Sequence, residues 1–81
     1  MVEFVRKEWL TRRTTVEAAR KRYPVLANAR FQSLWETMKD GDELWYFKTP
    51  AVTWQRRAGR MGVAVSRGGV IVAHASVGKM N

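Results

Sequence analysis

Two apolar runs near the C-terminus, "MGVAVS" and "GVIVAHASV", are separated by "RGG" at residues 67–69. Short runs rich in valine and isoleucine read as strands rather than helices. A glycine pair between them supplies the positive φ that a tight hairpin needs. The last third of the chain is therefore expected to be an antiparallel β-hairpin, and the remainder must cover it.

Little chain is available for that task. Eighty-one residues allow one domain, 1–81, with no room for a second. A chain this short buries only roughly 60–65% of the surface its unfolded form exposes, so its core must be rich per residue. With 46% apolar residues, including four Trp, three Phe and two Tyr, it is. Cysteine is absent, which excludes disulfides, zinc ribbons and thiol catalysis and fits a reducing compartment. No apolar run approaches the ~18–20 residues of a membrane span. The N-terminal "MVEFVRKEWL" carries charges every few residues and does not read as a secretory signal. A cytoplasmic protein without membrane association is expected.

The remaining elements follow from periodicity and punctuation. Residues 2–10 are ambiguous between a helical stripe (Val2, Val5, Trp9, Leu10) and a weak strand. "TTVEAARKRYP" offers Thr14 or Thr15 as N-cap and Pro24 as a stop. Val16, Ala19 and Tyr23 share one face, and Glu17 and Lys21 have the i, i+4 spacing of an ion pair. A second helix over about residues 29–39 presents Phe31, Leu34, Trp35 and Met38 to the core, and Gly41 is its expected stop. "ELWYFK" is a strand by its aromatic content. "TPAVTWQRRAG" reads as a short helix with Thr49 as cap, Ala51, Trp54 and Ala58 inward, and Gly59 beyond its end. The fold class is thus α+β: two or three N-terminal helices packed on a small, mostly antiparallel sheet ending in a C-terminal β-hairpin.

The aromatic and basic residues of "GDELWYFKTPAVTWQRRAGR" suggest a base-stacking surface. Strand alternation argues against it. Trp45 and Phe47 point one way and Leu44 and Tyr46 the other, and one of these faces must meet the helices. "RMGVAVS" adds no aromatic to the platform. Core packing is the expected role.

Charge points more directly to a partner. The net charge of +8 arises at both ends: residues 1–30 carry eight basic against three acidic side chains, and residues 51–81 carry five against none. Ten of the fifteen basic residues are arginine, whose fork binds phosphate bidentately. Arg12, Arg13, Arg20, Arg22, Arg56, Arg57 and Arg60, with Lys21 among them, are the candidates for contacting a nucleic acid, another anion or an acidic protein. The bland alternative is a solvated surface that keeps a small protein dispersed.

Catalysis finds little support. His74, the single histidine, lies mid-strand between alanines and is expected to pack there as a neutral ring. A triad would have to recruit Ser33, Ser66 or Ser76 and Asp40 or Asp42 without a nucleophile-elbow pattern. Asp40, Asp42 and Glu43 surround a Gly41 turn, where aspartate serves local hydrogen bonding. No phosphate-cradling loop, HExxH or EF-hand pattern occurs. No catalytic residue, metal or cofactor is expected.

The last strand points to a second copy of the chain. Val70, Val72, His74 and Ser76 fall on one face and Ile71, Ala73, Ala75 and Val77 on the other, with no charge on either. Such a strand is usually covered on both sides. At a sheet edge it would also be a template for pairing. The expectation is a homodimer using Val70, Val72, His74 and Ser76. Residues 41–74, "GDELWYFKTP…W…AGRMGVAVSRGGVIVAH", resemble a GDELW…W…AGR pattern of short bacterial α+β proteins. That resemblance implies a standalone bacterial protein; it carries no activity and transfers no site residue. A non-enzymatic binding module acting as a homodimer is the leading expectation, with nucleic-acid binding through the arginines second.

Overall fold

A computed structural model describes residues 5–55 and 59–79. Its centre is a four-stranded antiparallel sheet in the order β1-β2-β3-β4. The strands are β1 (Leu10–Thr14), β2 (Glu43–Lys48), β3 (Arg60–Arg67) and β4 (Val70–Lys79). Two helices, α1 (Val16–Arg22) and α2 (Gln32–Thr37), lie between β1 and β2, and a single turn, α3 (Ala51–Gln55), between β2 and β3.

The hairpin forms as its sequence dictates. Gly68 and Gly69 have φ of 59° and 84°, the left-handed pair of a two-residue turn, and Arg67 faces Val70 across it. Farther along, Gly62 sits where β3 and β4 approach closely. A Cβ at that position would lie 2.0 Å from the Ala75 carbonyl oxygen.

α1 begins where the capping pattern places it: the Thr15 hydroxyl accepts from the Ala18 amide at 3.2 Å. Glu17 and Lys21 share this helix without forming an ion pair. The second helix is shorter than its periodicity suggests. Asn28 Oδ1 accepts from the Arg30 amide, residues 29–31 form a 3-10 turn, and only Gln32–Thr37 are α-helical. Met38 is already extended at ψ 135°, so the stop comes before Gly41. Gly41, at φ 90°, instead shapes the turn into β2.

One face of the sheet meets these helices. Leu44, Val63, Val65 and Ala75 pack against Ala19, Leu26 and Leu34, with Val16, Tyr23, Phe31, Trp35, Met38 and Tyr46 closing around them. Every helical position read as inward in α1 and α2 is in this core. Burying a leucine or valine here is worth about 1.5–3 kcal/mol. The opposite face is also apolar: Phe47 and Ala64 are covered by Val5, with Trp9, Leu10 and Ile71 beside them. The N-terminal segment, a 3-10 turn at Lys7–Trp9 leading into β1, supplies that cover.

Two expectations are corrected. The helices do not all precede the sheet, because "LTRRT" forms an edge strand ahead of them. Its two arginines and five-residue length hide the alternation that marks a strand, and a bulge between Leu10 and Arg12 disrupts it further. Ala51 is exposed, so α3 does not bury the predicted face; Trp54 instead packs on the backbone at Gly59 and donates to the Thr49 carbonyl at 3.1 Å. Ala58 lies outside the described residues. Thr49 joins α3 to β3, its hydroxyl accepting from the Arg60 amide at 2.9 Å.

Candidate interaction site

β4 is the outermost strand on one side of the sheet, ten residues long and without a charged side chain from Val70 to Gly78. Val70 is 63% exposed and Val72 39%, and His74 and Ser76 are exposed as well. Two bulges interrupt its pairing with β3. Gly62 faces Ser76 while Met61 faces Gly78, and Val65 faces Ala73 while Ser66 faces Ile71. Val77 and Val72 are thus the extra residues, and the strand is regular between them, over residues 73–76.

The Val72 bulge corrects the simple alternation. Ile71 shares the Phe47 side of the sheet with His74, whose ring meets Phe47 edge-on at 6.4 Å, while Ala73, Ala75 and Val77 face the helices. His74 is therefore exposed rather than packed. Shallow grooves flank the strand on both sides. One lies between it and Val5 and Lys7, the other between it and Arg30, Phe31, Ser33 and Thr37.

The candidate arginines do not share one face. Arg12 pairs across β1–β2 with Tyr46 and stands on the helix side, whereas its neighbour Arg13 pairs with Trp45 on the other side. There Arg13 meets Glu43 at 3.4 Å, and Glu43 also accepts from Trp45 Nε1 at 3.3 Å. Arg22 lies over Tyr46 at 4.8 Å and over Tyr23 at 5.5 Å; Arg20 lies over Trp35 at 5.4 Å. Arg60 opens β3 beside Thr49. Arg56 and Arg57 lie outside the described residues.

The strongest polar contact was not among the sequence candidates. Arg67 donates from Nε to Asp42 Oδ1 at 2.9 Å and from Nη2 to Oδ2 at 2.8 Å, and Nη2 also donates to the Thr37 carbonyl at 3.0 Å. The Lys39 amide donates to the same carboxylate at 2.9 Å. These bonds, that of Arg67 foremost, lower the Asp42 pKa from 3.8 to about 2, and the same pairing raises Arg67. The pair ties the β3–β4 hairpin to the end of α2. No spacing could have joined residues 25 apart, although an aspartate after a turn glycine and an arginine at a hairpin are each plausible lock components.

Asp42 is thus committed to Arg67, Glu43 to Arg13 and Trp45, and the grooves beside His74 include neither acid. Among the described residues no cluster of histidine, aspartate and glutamate could hold a metal ion. No described helix is long and apolar enough to cross a membrane. No protein-family model, curated protein or solved structure matches this chain.

Proposed function

We propose that this protein is a non-enzymatic interaction module that works as a homodimer joined along β4. One observation carries the reading: a long strand with exposed valines, uncharged from Val70 to Gly78, occupies the sheet edge. An edge strand presents unpaired N–H and C=O groups that another strand satisfies. In a two-fold contact the same patch meets itself, so a strand without charge meets its copy without like-charge opposition. The regular stretch at residues 73–76 is the natural centre for antiparallel pairing of two β4 strands, with Val70 and Val72 packing to either side. The commitment of Asp42 and Glu43 to arginines supports a binding role over acid–base chemistry.

Light scattering on size-exclusion fractions at tens of micromolar tests this. The expected mass is twice the 9.4 kDa of the chain. Val72→Lys, with an unchanged far-ultraviolet circular dichroism spectrum, is expected to give the single-chain mass. A wild-type monomer at that concentration refutes the proposal.

A further inference from the structure

We infer that Arg12 and Arg22 around Tyr46, extended by Arg20 on Trp35, form a binding site for the phosphodiester backbone of a single-stranded nucleic acid. The site centres on Arg12 and Arg22 beside the β1–β2 pair, on the helix-bearing face, and does not rest on the dimer.

The first reason is which cations are free. Arg13 and Arg67 are held by Glu43 and Asp42, and Arg6 by Glu8. Arg12, Arg20 and Arg22 are exposed and meet no carboxylate among the described residues. All three stand on the helix-bearing side of the sheet. A buried-pair role cannot account for them.

The second reason is how they are held. Arg22 lies over two rings that are themselves in contact: Tyr23 and Tyr46 meet at right angles, 5.9 Å apart. Arg20 lies over Trp35, whose Nε1 donates to the Leu26 carbonyl at 3.0 Å. A guanidinium held over an aromatic ring retains N–H groups that the ring does not engage, and these can grip phosphate oxygens in a fork. Tyr23, Trp35 and Tyr46 are half-buried, which leaves ring surface beside the cations for an unstacked base. Part of the side-chain ordering that binding requires is thereby complete in the free protein.

The third reason is their arrangement. Arg22 leans from α1 toward β2, Arg20 from the same helix toward α2, and Arg12 projects from β1. Cations converging on one point would suit a free phosphate. Cations distributed over α1 and β1 suit successive phosphates of a chain, and the half-buried rings beneath them favour a strand whose bases are unpaired.

Fluorescence anisotropy of a labelled single-stranded oligonucleotide, titrated across a salt series, reads the site. Three neutralised phosphates of a single strand give a log–log slope of about −2. Changing Arg12, Arg20 and Arg22 together to Gln is expected to weaken binding at least about tenfold and to flatten that slope. Arg13→Gln and Arg6→Gln, which remove the same charge elsewhere, are expected to stay within about twofold. Arg22→Lys, which keeps the charge without the planar fork, should fall between. Circular dichroism on each variant confirms the fold; the altered side chains are exposed. Equal losses from Arg13→Gln and from Arg22→Gln would reduce the effect to diffuse charge and overturn the site. So would tighter binding of duplex than of single strand, or inorganic phosphate or a mononucleotide competing as well as the oligonucleotide.

Discussion

The two edges of the sheet are built to opposite rules. β1 is five residues long, bulged, and carries Arg12 and Arg13 at its centre. β4 is ten residues long and uncharged from Val70 to Gly78, with valines in solvent. Short length, a bulge and basic side chains are the devices that keep an edge from pairing with another chain. β1 has all three; β4 has only bulges, and they leave residues 73–76 regular. One edge of a small sheet can therefore be guarded while the other is left open, so that association has a single direction. The same charges that guard β1 place arginines beside Tyr46.

This contrast can be broken at several points. The largest effect is expected from Gly62→Val. Its Cβ would meet the Ala75 carbonyl at 2.0 Å, so β4 must separate from β3. A loss of about 3 kcal/mol or more, read by denaturant unfolding, is expected, together with loss of the dimer. A Gly62→Val protein as stable as the wild type would mean that β4 does not pair as described.

Val72→Lys comes next. It places a charge on the open edge and is expected to convert dimer to monomer while leaving the unfolding midpoint of the single chain nearly unchanged. Asp42→Asn acts more mildly. The aspartate pKa is depressed in the folded protein, so its contribution is complete above the ordinary value of 3.8 and is lost as pH falls toward about 2. The wild-type Tm should therefore drop over that acid window. The Asn variant should start lower at neutral pH and lack that part of the drop. Parallel Tm profiles for the two proteins would remove the lock from the account. The smallest effect is expected on the guarded edge. Arg13→Ala breaks an exposed pair with Glu43 and should cost within about 1 kcal/mol. If it produces new oligomers on size exclusion, the guard is real; if the mass stays that of the wild type, length and bulge suffice to close β1.

What could be read beforehand followed the range of the interaction concerned. Thr15 capping α1, the inward faces of α1 and α2, and the glycine turn are set by residues within about one helical turn or one hairpin of each other. The strand character of β1 comes from pairing with β2, thirty or more residues away, and not from its own composition, so it is not legible locally. The faces of β4 were misassigned at Ile71 because a bulge inserts a residue that periodicity cannot anticipate. The arginines could be named as a group. Which of them lie over rings and which are neutralised required Tyr46, Trp35, Glu43 and Asp42 to arrive from elsewhere in the chain.

By itself the sequence determined the α+β class, the hairpin, the aromatic supply to the core and an uncharged final strand, because each is written in local spacing and composition. Only the tertiary structure decided that this strand lies at the edge, that β1 guards the other edge, and that Arg67 locks onto Asp42. Strand order and ion pairing depend on which distant segments meet. That is settled by burial of both sheet faces at once, a property of the whole chain and not of any window within it.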